Sequence, residues 1–429
     1  MQLPEEFIQQ TKAMMGDELF HTFLSGLNEE PSVSIRLNPK KNPNTNHQHP
    51  TSITQQFESV PWCPEGYYLN ERPTFTFDPM FHAGVYYVQE ASSMFITHAL
   101  NTILLTLNPQ PSTLNPQPST LNPQPIVLDL CAAPGGKSTC ALSTLPENSI
   151  LFSNEPIGKR AQILSENIQK WLMSTDSNIE SIVTCNYAKD YKKAKMLFDI
   201  VIADVPCSGE GMFRKDPKAI EEWSLQNVEK CWRLQRDIVQ DIWSCLKSGG
   251  FLIYSTCTFN THEDEENVQW IVEELGADII EVPICEEWHI TGSLLPSFNG
   301  PVYRFLPGKT RGEGLFMAVL RKHGEWVPTT EKERNTLVRR SQQLHILPHQ
   351  HLLTIQEAKD APRVPLTYEQ AIAYLRHEAI VLPADTPRGI VMVCYCDLPL
   401  GLAKNIGNRA NNLYPKEWRI KSTHIPTDL

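Results

Sequence analysis

From residue 126 onwards, short apolar runs alternate with longer segments in which apolar residues recur at helical spacing. Strands are predicted for the apolar runs at 126–130, 150–154, 181–185, 199–203 and 250–255. Strands that alternate with helices in this way predict a parallel sheet covered by helices on both faces. Two later apolar runs, 302–306 and 315–320, are expected to form a hairpin that closes the sheet. The pattern therefore predicts an α/β core.

The helix before the fifth strand has the most regular pattern. Its apolar positions are Val228, Trp232, Ile238, Ile242 and Leu246. The glycine pair Gly249 and Gly250 is expected to end this helix, because glycine commonly follows the last helical residue.

Residues 1–100 precede the core and are predicted to form a separate accessory region. Six apolar residues recur there at helical spacing and predict a first helix with one buried face: Phe7, Met14, Met15, Leu19, Phe20 and Phe23. A strand is predicted at 34–38, a loop in the polar, proline-broken segment 42–56, and a strand leading into a helix over 81–100. Packing against the rest of the fold is enough to explain the apolar residues of the segment 81–100.

Residues 106–125 repeat the unit Thr-Leu-Asn-Pro-Gln-Pro-Ser. Two prolines in each unit exclude a helix, so this is not a coiled-coil heptad. The repeat lies between a predicted helix and the first central strand, where a surface insertion costs little entropy. Region 101–125 is therefore interpreted as an insertion without an assigned function.

The chain after the core divides into two parts. Segment 323–365 is charged and punctuated by prolines, which predicts a linker, and 366–429 is typical of a small mixed α/β unit. Basic residues in that unit outnumber the single Glu417 between 404 and 421: Lys404, Arg409, Lys416, Arg419 and Lys421. Tyr414 and Trp418 lie among them, and this combination suits RNA backbones and stacked bases. A solvated surface is the alternative interpretation.

Composition narrows the class of protein. The chain has 429 residues, a hydrophobic content of 41% and a net charge of −11, so contacts with nucleic acid must come from local basic patches. Eleven cysteines without CxxC pairs favour reduced thiols in the cytoplasm over disulfides or a zinc site. The N-terminus lacks the features of a signal peptide, and no apolar run is long enough to span a membrane. We expect no metal.

The turn after the first central strand is a candidate ligand site. Its sequence, Cys131-Ala-Ala-Pro-Gly-Gly-Lys-Ser138, is one residue short of a phosphate-binding P-loop. Pro134 lacks the amide that a phosphate cradle needs, which favours an S-adenosylmethionine pocket instead. Gly135 and Gly136 allow close approach of a ligand, and the following helix is expected to begin near Lys137. Glu155, at the end of the second strand, is placed to bind ribose hydroxyls.

Two cysteines follow later strands at the same edge of the predicted sheet. Cys207 follows Asp204 after the fourth strand, and Cys257 ends the fifth. A thiolate that adds to carbon 6 of a pyrimidine makes carbon 5 nucleophilic enough to take a methyl group, and a base must then remove the carbon 5 proton. Asp204 is placed to hold the N3 edge of a cytosine. Either cysteine alone is more often an inert buried thiol.

Three motifs together resemble the Nop/Sun family of RNA 5-methylcytosine methyltransferases, and within it the bacterial 16S ribosomal RNA branch. They are Asp-Leu-Cys-Ala-Ala-Pro-Gly-Gly-Lys-Ser, Asp-Val-Pro-Cys-Ser-Gly-Glu-Gly and Tyr-Ser-Thr-Cys-Thr. The resemblance extends over nearly the whole chain, including segments 84–90, 214–217, 398–401 and 407–415. It implies a Rossmann-like core with a seven-stranded mixed sheet at 126–322, and a PUA-like RNA-binding domain at 366–429.

The same resemblance implies roles for individual residues. Cys257 would be the nucleophile and Cys207 the thiol that helps to release the product, although DNA cytosine methyltransferases place their nucleophile in a Pro-Cys motif like that of Cys207. Binding of S-adenosylmethionine is expected from these residues: Cys131, Ala132, Ala133, Pro134, Gly135, Gly136, Lys137, Glu155, Arg160 and Asp204. Contacts with RNA are expected from these residues: Arg214, Lys215, Lys404, Arg409, Asn411 and Asn412.

One position departs from the family. An acidic residue for the adenine amine is expected after the third strand, where this chain has Asn186-Tyr187-Ala188 with Asp190 nearby, so that contact is left unassigned. The expected substrate is structured RNA, most consistent with 16S rRNA in the small ribosomal subunit, for a cytoplasmic monomer. A transfer RNA 5-methylcytosine methyltransferase, a P-loop NTPase and a non-catalytic ribosome-assembly factor are the alternatives.

Overall fold

A computed structural model describes residues 1–41, 57–108 and 124–422 of the chain. The predicted loop at 42–56 and most of the repeat at 106–125 lie outside the described residues. The helices are α1 (Glu5–Leu27), α2 (Pro79–His82), α3 (Phe95–Leu107), α4 (Gly136–Thr144), α5 (Gly158–Leu172), α6 (Ala188–Lys193), α7 (Pro217–Glu222), α8 (Leu225–Trp243), α9 (Glu265–Leu275), α10 (Glu331–Ser341), α11 (Gln350–Glu357) and α12 (Tyr368–Leu375).

The strands belong to three sheets. They are β1 (Val33–Leu37), β2 (Glu58–Ser59), β3 (Gly66–Leu69), β4 (Tyr86–Val88), β5 (Ile126–Asp129), β6 (Ile150–Asn154), β7 (Glu180–Thr184), β8 (Phe198–Asp204), β9 (Leu246–Thr256), β10 (Ala277–Ile280), β11 (Tyr303–Phe305), β12 (Leu315–Lys322), β13 (Ile346–Leu347), β14 (Arg363–Pro365), β15 (Gly389–Tyr395), β16 (Leu398–Asn405) and β17 (Ala410–Asn412).

The central sheet confirms the predicted α/β core. Its strand order is β10-β12-β9-β8-β5-β6-β7-β13, and β11 pairs with β12 beside β10. Strands β5 to β9 run parallel to one another, whereas β12 is antiparallel to β9 and β13 to β7. The sheet has nine strands rather than seven, because β11 and β13 extend its two edges. Every residue of β5 and β6 is buried, as strands covered on both faces require.

The predicted end of the long helix is wrong. Helix α8 ends at Trp243, and Leu246 already pairs with Phe198 in the sheet. Gly249 and Gly250 lie inside β9, where the register against β8 shifts. Gly249 has a φ of +69°, and a Cβ there would lie 2.3 Å from the backbone nitrogen of Trp326. The glycines therefore allow a close backbone contact and do not cap a helix.

The accessory region packs beside the carboxyl edge of the central sheet. Helix α1 buries Phe7, Phe20 and Phe23 of its predicted face and changes direction at Gly16, whose φ is +73°. Strands β2-β3-β1-β4 form an antiparallel sheet. The segment predicted as strand then helix over 81–100 instead begins inside α2, and α3 begins only at Phe95.

Segment 323–365, predicted as a linker, contains α10, β13, α11 and β14. Strand β13 pairs antiparallel with β7, so part of this segment belongs to the central sheet. The C-terminal sheet has the order β14-β15-β16-β17, and α12 packs on it. Its core joins that of the N-terminal sheet in one buried cluster that includes Ile35, Tyr86, Tyr374 and Val391. Among the described residues, no helix is both long and apolar enough to cross a membrane.

Candidate active site

Four loops meet at the carboxyl edge of the central sheet, where open α/β sheets bind ligands. The first follows β5 and leads into α4, which begins at Gly136, one residue before the predicted position. Gly135 adopts a φ of +120°, and a Cβ on it would lie 3.3 Å from Leu164 Cδ1. The buried carboxylate of Asp129 accepts a hydrogen bond from Ser138 Oγ at 2.7 Å, which fixes the turn on its strand.

Asp204, at the end of β8, is held from two sides. Lys137 Nζ lies 2.8 Å from its Oδ2, and Ser255 Oγ donates to its Oδ1 at 2.7 Å. Burial is the largest single influence and lowers the pKa of Lys137, but the neighbouring acidic groups, Asp204 foremost, together outweigh it and the pKa lies above its ordinary value. Lys137 is therefore a permanent cation that joins the glycine turn to the loop after β8.

Glu155 is buried at the end of β6, as the sequence predicts for a ribose-binding carboxylate. Its Oε1 accepts a hydrogen bond from the amide of Ile157 at 3.0 Å, and Arg160 Nη1 lies 3.3 Å from its Oε2. Arg160 Nη2 also donates to the carbonyl oxygen of Ala133 at 3.0 Å. Arg160 thus links Glu155 to the glycine turn, and its expected contact with the cofactor stays a prediction.

The two cysteines lie side by side. Cys207 Sγ and Cys257 Sγ are 3.3 Å apart although the residues are 50 positions apart in sequence. The hydrogen bond to the Cys257 sulfur, together with burial, raises the pKa of Cys207 well above its ordinary value. Cys207 therefore keeps its proton at neutral pH, with its sulfur within hydrogen-bond distance of that of Cys257.

Buried side chains on both sides fix the loop that carries Cys257. The hydroxyls of Thr256 and Thr258 donate to Asp264 Oδ1 at 2.6 and 3.1 Å. The fully buried Arg304 forms ion pairs with Asp264 and Glu265, and its Nη1 donates to the carbonyl oxygen of Phe259 at 2.7 Å. Burial raises the pKa of Asp264, and Arg304 opposes this effect.

A second carboxylate, Glu210, joins the two cysteine loops. It accepts hydrogen bonds from the Phe259 amide at 2.6 Å and from Asn260 Nδ2 at 2.9 Å, and Trp223 Nε1 donates to it at 3.0 Å. The next residue, Gly211, donates its amide to the carbonyl oxygen of Cys257 at 2.7 Å. A Cβ on Gly211 would lie 2.8 Å from that oxygen, so only glycine allows this approach.

Glu263 completes this support. Its carboxylate accepts hydrogen bonds from the Ser208 amide at 3.0 Å, Gln235 Nε2 at 2.7 Å and Asn260 Nδ2 at 3.0 Å. Burial raises its pKa from 4.5 to about 7. The supporting roles of Glu210, Glu263, Asp264 and Arg304 were not predicted from the sequence. Glu210 stands in the motif that carries Cys207, and Glu263 and Asp264 belong to a run of acidic residues after Cys257, which is more often a solvated surface.

A cavity of about 370 Å³ lies between these loops. Residues 131–134, Lys137, Asp204 and Cys257 line it, together with Lys215 on the outer side. The residues present fit an S-adenosylmethionine molecule: small side chains and glycines leave the space, the buried Glu155 lies at the end of the next strand, and one buried oxygen of Asp129 has no hydrogen-bond partner among the described residues. Cys207 does not line this cavity and lies behind Cys257.

The predicted RNA contacts divide into exposed and buried groups. Lys215, Lys404, Arg409 and Asn411 are exposed. Arg214 is a correction: its guanidinium is buried and donates to Glu313 at 2.8 Å and to the carbonyl oxygens of two glycines. Asn412 is another, because its amide donates to the carbonyl oxygens of Tyr374 and Glu378 and its oxygen accepts from Tyr414.

The aromatic residues of the C-terminal unit do not form an exposed stacking platform. Tyr414 is 2% exposed and packs against Tyr374. Trp418 contacts the ring of His351 with centroids 4.9 Å apart and lies against Lys170 of α5. Tyr414 is buried and Trp418 is half-buried, so neither ring is presented as a free stacking surface.

The position expected to bind adenine has another use in this chain. Asn186 donates through Nδ2 to the carbonyl oxygen of His345 at 3.2 Å and accepts from the His345 amide at 3.1 Å. Asp190 caps α6 by accepting from the Tyr187 amide at 3.0 Å. Asn186 therefore binds the strand added at this edge. All eleven cysteines are free thiols, and the described residues contain no group of three or more side chains arranged to bind a metal ion.

Three family models match separate parts of the chain. Residues 112–321 match 16S rRNA methyltransferase RsmB/F, 3–91 match the N-terminal domain of 16S rRNA methyltransferase RsmF, and 361–420 match the methyltransferase RsmF PUA domain. The chain is 26% identical to ribosomal RNA small subunit methyltransferase F of Enterobacter sp. (strain 638), covering 96% of this chain and 95% of the relative. It is 27% identical to the protein of that name from Cronobacter sakazakii, covering 97% and 96%.

Solved structures share the fold. NSun6 from Pyrococcus horikoshii with SFG is 20% identical and superposes with a TM-score of 0.56, covering 75% of this chain and 99% of that structure. A methyltransferase homolog protein from the same organism is 21% identical with a TM-score of 0.55, covering 75% and 100%. At these identities the likeness concerns the fold alone.

Proposed function

The chain belongs to the RsmB/F family of 16S rRNA methyltransferases, and we propose that it uses its cysteine pair to methylate carbon 5 of a cytosine in 16S rRNA. The observation that carries this proposal is the 3.3 Å separation of the Cys207 and Cys257 sulfur atoms beside the cavity at the glycine turn. S-adenosylmethionine, when bound, supplies the methyl group. The target base must leave its stack to reach the cavity, at a cost of a few kcal/mol.

Cys257 begins the reaction because its side chain lines the cavity and that of Cys207 does not. Its thiolate forms a bond to carbon 6 of the cytosine, and the displaced electron pair makes carbon 5 nucleophilic. As carbon 6 is attacked, N3 takes up a proton from solvent, and the Asp204 carboxylate, fixed between Lys137 and Ser255, accepts a hydrogen bond from it. Carbon 5 then takes the methyl group. N3 returns that proton to solvent when Cys257 leaves.

Product release needs a base for the carbon 5 proton. In the free protein the neighbouring Cys257 sulfur is the largest cause that keeps the pKa of Cys207 high. Once Cys257 is bound to carbon 6, this largest cause is weakened, whereas burial and the charge of Glu263 still favour the protonated thiol at Cys207 by raising its pKa. Cys207 acts as the base after its proton has passed to solvent: its thiolate accepts the carbon 5 proton as the bond between Cys257 and carbon 6 breaks.

Replacing each cysteine separately tests the roles. Cys207→Ser is expected to methylate the base but to release it slowly, so that RNA remains attached to the protein on a denaturing gel. Cys257→Ser is expected to give neither adduct nor methylated RNA. Cys231→Ser, at a half-buried thiol outside the site, is the matched control and should behave as the parent protein. Exchanged phenotypes would make Cys207 the nucleophile and reject the assignment.

The RNA-binding role of the C-terminal unit is a part of this proposal. Lys404 is exposed on β16, and Arg409 is exposed in the turn between β16 and β17. Their joint replacement by Gln should weaken binding of the small ribosomal subunit while binding of the methyl donor stays unchanged. Equal loss of both affinities would show that these residues support folding. Bisulfite sequencing of RNA from a deletion strain would identify the cytosine and separate ribosomal from transfer RNA.

All groups in this mechanism come from one chain, which supports action as a monomer. Sedimentation of the protein alone and with the small subunit measures its stoichiometry. One protein per subunit is the expected result.

A further inference from the structure

A second cavity opens beside the catalytic one. Its volume is about 600 Å³, and it is lined by residues 30–34, Arg72, 88–90, Arg214 and Lys215. We call it the Arg72 cleft. Val88, Gln89, Glu90 and Lys215 line both this cleft and the catalytic cavity, so the two spaces share a wall and meet at Lys215. Any polymer whose base enters the catalytic cavity has this cleft as its neighbour.

Two exposed cations of the cleft are not engaged in close ion pairs with the described residues. Arg72 holds its guanidinium 5.6 Å above the ring of Phe75 and has no carboxylate within ion-pair distance in the described part of the chain. Lys215 Nζ is 4.0 Å from Glu313 Oε1, and Glu313 is already bound by the buried Arg214. Arg72 is therefore available to an anion and Lys215 is only loosely paired, and in a chain of net charge −11 such positions are local exceptions.

The acidic residues of the cleft differ in availability. Glu90 is fully engaged: it accepts from the amides of Ser92 and Ser93 at 3.0 and 2.9 Å and from the amide of Glu313 at 3.1 Å. Glu30 is exposed on the opposite rim. An anionic ligand should therefore be attracted by Arg72 and Lys215 and repelled by Glu30.

We propose that the Arg72 cleft binds the RNA strand next to the target cytosine as a single strand, with Arg72 and Lys215 contacting its phosphates. This inference rests on the proposed function, because the target base must occupy the adjoining cavity. An extruded base remains joined to its neighbours by the sugar-phosphate chain, and the shared wall at Lys215 places that chain in the cleft. The cleft is open to solvent on one side, and its volume of about 600 Å³ favours a single strand over the wider duplex.

Charge replacements in the full-length protein test the cleft. The probe is a fluorescein-labelled, cytosine-containing oligoribonucleotide, used as a single strand and annealed to its complement. Arg72→Gln and Lys215→Gln should each weaken binding of the single strand and reduce the slope of log K against log salt by about 0.7. Glu30→Gln should tighten binding. Lys332→Gln and Arg339→Gln are the controls, because both exposed side chains lie on α10, outside the cleft.

Methyl transfer measured with Arg72→Gln, which lies outside the catalytic cavity, should show a raised KM for RNA and an unchanged kcat and affinity for the donor. Equal binding by the cleft and control variants, or equal affinity for the single strand and the duplex, would overturn the proposal. A Cys207→Ser background separates this outcome from failure of the proposed function. If covalent RNA still accumulates at saturating RNA while the cleft variants bind normally, only the cleft assignment is wrong; if no adduct forms with an intact cleft, the proposed function is wrong.

Discussion

Adding one methyl group at Gly211 should slow catalysis without unfolding the protein. In Gly211→Ala the new Cβ would lie 2.8 Å from the carbonyl oxygen of Cys257 and 3.3 Å from its Cβ. Ordinary contact begins at 3.4 Å, so the two loops must separate by about 0.6 Å. Because the oxygen belongs to the backbone, this movement cannot be absorbed by a flexible side chain, and Cys257 is displaced from the base.

The expected size follows from the sensitivity of reactions to alignment. A misplacement of about 1 Å costs about 100-fold in rate, so a displacement of about 0.6 Å should cost about tenfold, or about 1.4 kcal/mol of activation free energy. Single-turnover methyl transfer at saturating donor and RNA measures this rate. Covalent adduct formation in a Cys207→Ser background should slow by the same factor, because the addition of Cys257 is the step that suffers.

Two glycines provide matched controls. Gly209 lies in the same loop, and a Cβ there meets no atom within 4 Å, although its φ of +79° makes substitution mildly strained. Gly158, at the start of α5, has neither a neighbour within 4 Å nor a left-handed backbone. Gly209→Ala should lose some stability but keep its rate, and Gly158→Ala should keep both. A normal single-turnover rate in Gly211→Ala would refute the argument that this contact positions Cys257.

Other residues allow sharper tests of single interactions. Glu155→Gln should weaken binding of S-adenosylhomocysteine, measured by calorimetry, by about 10- to 100-fold, which is the loss expected for hydrogen bonds to a charged group. As a control, the affinity for RNA should not change. Arg304→Gln should lower the free energy of unfolding in urea by about 3–5 kcal/mol, since it leaves Asp264 and Glu265 buried without a cation; a loss below about 1 kcal/mol would contradict this. Burial raises the pKa of Glu263 from 4.5 to about 7, so the folded state holds a proton that the unfolded chain has lost and stability from this group falls as pH rises through that window. Glu263→Gln removes the titration, so its stability relative to the parent should rise between about pH 5 and about pH 8, and a constant difference would be evidence against the raised pKa.

The core of the fold could be predicted because its strands are continuous apolar runs. β5, β6 and β8 lie where the runs at 126–130, 150–154 and 199–203 predict them. The errors arose where tertiary contacts override local pattern. Leu246 continues the apolar spacing of α8, but it pairs with Phe198 and belongs to β9. Strand β13 has only two residues in a polar segment, so it cannot be recognised until its pairing with β7 is known.

The family and its donor were correctly identified from three short motifs, and the match to RsmB/F models confirms both. The groups that support the cysteines could not be identified in this way. Glu210 and Glu263 act through several hydrogen bonds that depend on the folding of two distant loops against each other. Arg214 and Asn412 show the opposite error: polar residues in a motif suggested contact with RNA, whereas the fold uses their donors internally.

The anchored path from the core to the C-terminal sheet has a consequence for choosing a target. Strand β13 pairs with β7, and the amides of His351 and Leu352 in α11 donate to Gln169 of α5. The C-terminal sheet also shares a buried core with the N-terminal sheet. The distance between the exposed basic residues of that domain, Lys404 and Arg409, and Cys257 is therefore fixed by packing. The enzyme would then select a cytosine by its distance from a structured RNA element bound to the C-terminal domain. The identity of the neighbouring nucleotides would matter less.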